Sequence, residues 1–109
     1  MKRTGKKHTS LFALACPRFG LPAPMQEYKF HPLRKWRLDY YFEANGRRVG
    51  LEVEGGVWTR GRHTRPKGFL GDMEKYNAAA TLGIQIIRTT PNSLLKLETF
   101  TLVKKALYG

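Results

Sequence analysis

The stretch WRLDYYFEANGRRVGLEVE, residues 36–54, decides the predicted fold because it contains a β-hairpin with a fixed register. Asn45-Gly46 lies between two runs of alternating apolar residues, which is the strongest short-range hairpin signal and predicts a two-residue type I′ turn. With that turn, Asp39 lies opposite Glu52. Side chains so placed have Cβ atoms roughly 4.5–5.5 Å apart, and like charges there destabilise the sheet. Two such acids need a proton or a cation, and a divalent metal ion is the simplest candidate.

Alternation divides the hairpin side chains between two faces of the expected sheet. The apolar face is predicted to carry Trp36, Leu38, Tyr40, Phe42, Val49, Leu51 and Val53. The polar face is predicted to carry Arg37, Asp39, Tyr41, Glu43, Gly50, Glu52 and Glu54. Register and alternation agree independently, and this agreement supports the pairing.

The composition indicates a small basic domain with a polyanionic partner. The chain has 109 residues, with 20 Lys and Arg against 8 Asp and Glu, for a formal charge of +12. Such an excess favours nucleic acid ahead of a membrane surface, although basic charge can also serve solubility alone. One cysteine excludes an intramolecular disulfide and a thiolate metal cluster, and fits a cytoplasmic location. No apolar run reaches the ~18 residues of a membrane span, so no membrane association is expected.

The rest of the chain predicts one α/β (α+β) domain over residues 9–109, preceded by a basic arm over residues 1–8. Helices are predicted over residues 11–16, 68–82 and 92–107, and strands over 26–30, 36–43, 48–54 and 84–88, with a loop over 55–67. The second helix is expected to bury an apolar stripe of Phe69, Met73, Tyr76 and Ala80. The last helix has more apolar residues than one face needs, which leaves a homodimer through this helix open.

Four acids in or next to the predicted sheet form the candidate set: Glu27, Asp39, Glu52 and Glu54. Carboxylate oxygens on a rigid sheet suit Mg²⁺, which takes one or two carboxylates and completes its shell with water and substrate phosphate. Such an ion can polarise a phosphodiester and lower the pKa of an attacking water.

A simpler interpretation of the same acids is structural. Arg37 faces Glu54 and Arg48 faces Glu43, so both pairs could be ordinary cross-strand ion pairs. The facing acids Asp39 and Glu52 have no base opposite them within the hairpin, and in this interpretation they are solvated.

Several segments, in order, resemble the PD-(D/E)XK nuclease superfamily, and more closely its small phage-type endonucleases. They are Phe30-His31-Pro32, residues 34–39 (RKWRLD), residues 51–58 (LEVEGGVW), residues 61–64 (GRHT), residues 74–77 (EKYN), residues 84–88 and Thr90-Pro91. A more distant resemblance is to very-short-patch repair endonucleases. The resemblance implies a restriction-endonuclease-like αβββαβ core, a mixed central sheet flanked by helices, and an extra C-terminal helix.

The resemblance also implies a metal site. Asp39 and Glu52 would bind Mg²⁺, for which Mn²⁺ would substitute, with the backbone carbonyl of Val53 as a third ligand. Glu27 could complete the site through water.

One position departs from the family pattern, because the expected lysine two residues after the strand glutamate is Glu54. Either Glu54 is a further metal ligand or base, or the lysine function has moved, with Lys75 the first candidate and Lys67 the second. The departure also fits an inactive protein that retains binding. His63 is a candidate general base or phosphate contact.

Basic residues flank the acidic pair along the chain, and we expect them to contact DNA phosphates without reading sequence. The set is Arg34, Lys35, Arg37, Arg60, Arg62, Arg65 and Lys67. The alternative is that these are solvated loop charges. Trp58, in the glycine-rich loop, is either a core residue or a stacking surface.

The sequence therefore predicts a Mg²⁺-dependent DNA endonuclease that hydrolyses phosphodiester bonds with a metal-activated water. A structure-selective enzyme similar to a Holliday junction resolvase, a nickase and a nonspecific nuclease all stay open, as does cleavage of RNA. The alternative from another class is a non-catalytic basic nucleic-acid-binding module, which has no need of Asp39 beside Glu52.

Overall fold

The computed structural model describes residues 9–55 and 66–109, and only the backbone of residues 66–69. The helices are α1 (Leu11–Ala15), α2 (Pro66–Thr81) and α3 (Leu97–Tyr108), with a 3-10 turn over Cys16–Phe19; the strands are β1 (Met25–Lys29), β2 (Arg37–Ala44), β3 (Arg47–Val53) and β4 (Ile84–Thr89). The described chain is thus an α+β fold with a four-stranded mixed sheet and three α-helices, in the predicted order. The arm over residues 1–8 and residues 56–65 of the predicted loop lie outside the described residues.

The sheet has the order β1-β2-β3-β4. Strands β1, β2 and β3 are antiparallel neighbours, and β4 runs parallel to β3, as a strand reached through the α2 crossover can. Asn45 and Gly46 have φ values of 54° and 73°, the two positive values that a type I′ turn requires. Tyr40 pairs with Leu51, so the predicted hairpin register is confirmed.

The predicted faces of β2 are partly wrong, because the alternation breaks at Asp39. Tyr40 belongs to one apolar cluster, whereas Leu38 packs in another cluster with Tyr41. In a regular strand, residues two positions apart lie on the same face, so Leu38 and Tyr40 would share one. On the neighbouring strand Glu27 has φ 51°, and the β1–β2 pairing skips the Glu27–Asp39 position. The interrupted ladder turns Leu38 to the face predicted to be polar, and Trp36 packs against the same cluster.

Each face of the sheet is covered by helix, so residues 9–55 and 66–109 contain two apolar cores. The larger core lies between the sheet and helices α1 and α3, and contains Phe12, Ala13, Cys16, Leu21, Tyr40, Phe42, Val49, Leu51, Phe100, Val103 and Leu107. The smaller core lies between the sheet and α2, and contains Phe30, Leu38, Tyr41, Ala79 and Ile84. The face expected to be polar is therefore packed against α2, which brings helix side chains onto the sheet acids.

The predicted apolar stripe of α2 is wrong at Met73, which is 46% exposed, and at Ala80, which is also exposed. Tyr76 is half-buried, and the side chain of Phe69 lies outside the described residues. The face that meets the sheet instead carries Asp72, Lys75, Tyr76 and Ala79. Hydrophobic periodicity misses such a face, because three of its four side chains are polar groups that bind other polar groups.

Helix α3 begins at Leu97 rather than at residue 92, because residues 90–96 form successive turns in which Ser93 and Lys96 donate backbone hydrogen bonds to Thr90 and Ser93. It buries Phe100 in the larger core and leaves Leu97 and Leu102 more than half exposed. A homodimer through this helix stays a prediction. No helix in the described part of the chain combines the length and the apolar character needed to cross a bilayer.

Candidate functional site

Asp39, near the start of β2, and Glu52, near the end of β3, each bind the backbone of the other strand through a carboxylate. The N–H of Asp39 donates to Oε2 of Glu52 over 2.9 Å, and the N–H of Val53 donates to Oδ2 of Asp39 over 2.8 Å. The β1–β2 hydrogen-bond ladder is interrupted at Asp39, and the Glu52 side chain accepts the hydrogen bond from the backbone N–H of that residue. This reciprocal pair of bonds, called the carboxylate clamp below, fixes both acids at one point of the hairpin.

Glu52 is buried, with 7% of its surface exposed, and α2 supplies its counter-charge. Lys75 Nζ lies 3.0 Å from Oε1 of Glu52, and the Tyr76 hydroxyl lies 3.4 Å from the same oxygen. Burial raises the pKa of the Glu52 carboxyl, and this effect exceeds the opposing effects of Lys75 and of the Asp39 N–H. The hairpin has no basic residue opposite the two acids. The basic residue that pairs with Glu52 is Lys75 of α2.

Glu54 is held by Arg88 and Tyr76. Arg88 Nε donates to Oε2 of Glu54 over 2.9 Å, and the Tyr76 hydroxyl lies 3.2 Å from that oxygen. The ion pair considered between Arg37 and Glu54 is therefore replaced by one from β4.

The second suggested ion pair, between Arg48 and Glu43, is indirect. Arg48 Nε donates to the Tyr41 hydroxyl over 2.8 Å, and that hydroxyl donates to Glu43 over 2.8 Å. A second nitrogen of Arg48 donates to the carbonyl of Leu82 over 2.7 Å. The arginine thus ties the hairpin to the end of α2.

An open pocket of about 340 Å³ adjoins the clamp on the α3 side of the sheet. It is lined by Gln26, Glu27, Asp39, Tyr40, Val53 and Leu94. Three of the four metal ligands expected from the sequence, Glu27, Asp39 and Val53, thus border one space. Glu52 is not among these lining residues, and its Oε2 accepts a hydrogen bond from the backbone N–H of Asp39. Oδ1 of Asp39 makes no hydrogen bond to any described residue.

This donor set fits a magnesium-type ion with an incomplete protein shell. Within residues 9–55 and 66–109, no three His, Cys, Asp or Glu side chains converge to hold a metal by themselves. Mg²⁺ does not require that, since it keeps several waters and binds through one or two carboxylates. Asp39 Oδ1, which no described residue binds, the Val53 carbonyl and the Glu27 carboxylate are oxygen donors around a space with room for water. An ion that also contacts Glu52 would compete with Lys75 for Oε1.

The basic residues expected to bind DNA are only partly described. Arg34 pairs with Glu74 on α2 over 3.0 Å and stacks on the Trp36 ring at 3.9 Å, while Lys35 and Arg37 are exposed. The Arg34 guanidinium holds the pKa of the Glu74 carboxyl below its usual value. His63, Arg60, Arg62, Arg65 and Trp58 lie outside the described residues, as does the side chain of Lys67 at the start of α2.

Sequence reasoning missed three side chains of the polar cluster: Asp72, Tyr76 and Arg88. Tyr76 was assigned to the core, yet its hydroxyl lies between the two glutamates, and burial with both carboxylates raises its pKa. Asp72 is 8% exposed, and its negative charge contributes to the same rise. A signal was present, because Asp72, Lys75 and Tyr76 have the three- and four-residue spacing that places side chains on one helix face.

Comparison of the chain with models of protein families, with curated proteins and with solved structures gave no match. The resemblance to the PD-(D/E)XK superfamily consequently stays a prediction from the residues quoted above.

Proposed function

We propose that this protein is a Mg²⁺-dependent DNA endonuclease with a restriction-endonuclease-like αβββαβ core, acting in the cytoplasm. The observation that carries the proposal is the carboxylate clamp with Lys75 Nζ 3.0 Å from Glu52. It joins two acids and one cation at the end of a rigid hairpin, next to an open pocket. The reaction is hydrolysis of a phosphodiester bond.

The metal would be held by Asp39 and Glu52, with the Val53 carbonyl as third ligand and Glu27 acting through water. Bound there, Mg²⁺ would polarise the phosphodiester and lower the pKa of the attacking water. The protein holds the acids in position before any ion arrives, because backbone N–H groups already fix one oxygen of each. Such preorganisation means that little of the binding free energy is spent on ordering side chains.

Lys75 is the residue we propose for the lysine function that Glu54 does not provide. It reaches the buried end of Glu52 from α2 and is itself only 14% exposed in its side chain. An ammonium group there can orient a water or neutralise a phosphate oxygen as negative charge develops. Glu54, in contact with Arg88 and Tyr76, is positioned to support Glu52 rather than to replace the lysine.

The charge of +12 supports the proposal of a DNA substrate, since the many Lys and Arg side chains can release counterions from phosphates. Arg34, Lys35 and Arg37 precede the strand that carries Asp39, and the basic residues of the 55–67 segment follow the strand that carries Glu52. We expect both groups to position the DNA backbone over the clamp. Binding should weaken steeply as salt rises, and a flat salt profile would contradict this surface.

A non-catalytic nucleic-acid-binding module is the second candidate, and one observation favours it. Both oxygens of Glu52 already have donors, from the Asp39 backbone and from Lys75 with Tyr76. The buried charge is thus compensated within the protein, and the cluster could serve stability alone.

Cleavage of supercoiled plasmid with Mg²⁺ or Mn²⁺ separates the two candidates. Asp39→Asn and Glu52→Gln each keep an acceptor oxygen for the backbone N–H of the clamp, so the fold should persist while metal binding is lost. We expect cleavage to be abolished in both, with DNA binding unchanged or tighter. Glu98→Gln, at an exposed acid in the first turn of α3, is the matched control and should cleave like wild type. Unchanged cleavage by Asp39→Asn would overturn the enzyme proposal.

The lysine role has its own test. Lys75→Ala should lower the rate by ~10²-fold or more, the usual scale for a positioned proton-transfer or charge-stabilising group. Lys105→Ala, at an exposed lysine of α3, should leave the rate unchanged. A near-wild-type rate for Lys75→Ala would show that Lys75 does not have this role, and Lys67, Glu54 and His63 would be tested next. Comparison of junction, flap, duplex and single-stranded DNA in one gel then identifies the preferred substrate.

A further inference from the structure

A second pocket lies on the α3 side of the molecule, between the 3-10 turn and helix α3. It has a volume of about 300 Å³ and is lined by Arg18, Phe19, Gly20, Leu97, Phe100, Thr101 and Lys104. Two cationic side chains and two aromatic rings thus meet in one concavity, without an acid among the lining residues. No feature of the clamp or of the predicted DNA-binding set accounts for it.

The two cations of this pocket are available to a ligand. Within the described residues, the side chains of Arg18 and Lys104 form no ion pair and no hydrogen bond. The carbonyls at the end of the 3-10 turn do not need Lys104, since the backbone N–H groups of Gly20 and Leu21 already donate to Pro17 and Cys16. Two positive charges facing one open space repel each other, and an anion between them would remove that repulsion.

The absence of a side chain at Gly20 leaves room for the ammonium group of Lys104 in the pocket. A Cβ atom at Gly20 would lie 2.8 Å from Lys104 Nζ, and its φ of +80° also disfavours any residue with a side chain. The ammonium group therefore lies directly over the glycine backbone, at the wall of the pocket. A bulkier residue there would push the cation away.

Phe19 supplies a flat apolar surface beside the cations. Its ring stacks on Phe100 with centroids 4.1 Å apart and planes 17° from parallel, and 37% of the residue remains exposed. An aromatic ring that is packed on one side and open to solvent on another is the form of a base-stacking platform. Cations next to such a ring are the combination used to bind single-stranded nucleic acid.

This pocket and the one at the clamp lie on the same side of the sheet. The first is bordered by Leu97 and the second by Leu94, three residues earlier in the chain. The ring of Phe12 contacts Tyr40 of the clamp pocket at 4.8 Å and Phe100 of the second pocket at 5.0 Å between centroids. The two pockets therefore border the same apolar core, separated along the chain by the segment from Leu94 to Leu97.

We propose that the Arg18–Lys104 pocket binds a backbone phosphate of single-stranded nucleic acid, with the neighbouring base stacked on Phe19. The inference rests on the proposed function only for its nucleic-acid partner and not for cleavage. It assigns the nucleic-acid partner an unpaired strand on the α3 side of the sheet, as a flap or a branch would provide. Duplex DNA offers phosphates to the cations but no free base to the ring.

The test is fluorescence anisotropy of a labelled oligo-dT strand with the full chain in EDTA, where no cleavage can interfere. Arg18→Ala and Lys104→Ala should each weaken binding about three- to ten-fold at low salt and reduce the slope of log K against log salt by about 0.7. Lys105→Ala removes an exposed lysine adjacent in sequence and outside the pocket, and serves as matched control. Affinity and slope equal to wild type in both variants, or a loss no larger than in the control, would overturn the proposal.

The stacking step is tested with Phe19→Leu, which keeps an apolar side chain over Phe100. We expect at least about five-fold weaker binding of the single strand and little change for a duplex of the same length. Thermal unfolding of each variant, monitored by circular dichroism, shows whether the fold is kept. Equal losses for single strand and duplex would overturn the stacking assignment. All these binding measurements are made without metal. They therefore test the pocket whether or not the protein cleaves plasmid DNA.

Discussion

Replacement of Lys75 by methionine should make stability strongly dependent on pH. The Lys75–Glu52 pair is 3.0 Å long, with side-chain exposures of 14% and 9%. Removal of one partner from a buried pair typically costs about 3–5 kcal/mol, because the remaining charge is uncompensated. Glu52 keeps its bonds from the Asp39 N–H and the Tyr76 hydroxyl, so we expect a loss at the lower end, about 3 kcal/mol at pH 7.

The sign of the pH dependence follows from the pKa of Glu52. Burial raises this pKa in the folded protein, and Lys75 is the largest effect that opposes the rise. Without the lysine the folded state holds the Glu52 proton more tightly than the unfolded state does. The loss of stability is thus absent in acid and grows as the pH rises above about 4.3, the unfolded value, through the raised folded value.

The assay is urea unfolding monitored by tryptophan fluorescence, in EDTA, from pH 4 to pH 8. At pH 7 Lys75→Met should also lower Tm by about 12–24 °C, at ~4–8 °C per kcal/mol for a domain near this size. The double variant Lys75→Met with Glu52→Gln should recover most of the loss, because an amide carries no charge and still accepts from the Asp39 N–H. Additive effects of the two substitutions, or a Lys75→Met penalty that does not change with pH, would refute the reasoning.

Three further outcomes follow from single contacts. Tyr76→Phe removes the hydroxyl between the two glutamates and should weaken Mn²⁺ binding measured by calorimetry; unchanged affinity would assign the hydroxyl to stability alone. Gly50→Ala should destabilise by about 1–3 kcal/mol in urea unfolding, because its Cβ would lie 2.8 Å from a Leu38 methyl, and an unaffected midpoint would show that the core gives way easily. Burial raises the pKa of the Cys16 thiol to about 12, so a thiol reagent at pH 8 should label it only after unfolding; rapid labelling of the folded chain would contradict its burial.

The hairpin could be predicted from sequence because its determinants are local. Asn45-Gly46 fixes the turn, and Tyr40 pairs with Leu51 as the turn requires. The closeness of Asp39 and Glu52 follows from the same register. The expected polar face failed at Leu38, since the break in alternation depends on the backbone of Glu27, on a different strand.

The partners of the acids could not be predicted because they come from distant segments. Lys75 was selected only as the site of a displaced function, and its contact with Glu52 requires the packing of α2 on the sheet. The pairing of Glu54 with Arg88 needs the parallel neighbour β4, and no cross-strand rule within the hairpin contains it. Met73 was expected in the core because apolar periodicity cannot detect a helix face buried through charge.

At Glu27, the left-handed backbone lowers stability while the carboxylate supplies an oxygen to the pocket. A residue other than glycine in that conformation lowers the free energy of unfolding by about 1–2 kcal/mol. Strain of this kind concentrates at functional sites. Glycine would relieve the strain but would remove an oxygen donor from the wall of the pocket. A selection for heat resistance alone should therefore favour the loss of this acid, and a selection for metal-dependent activity should restore it.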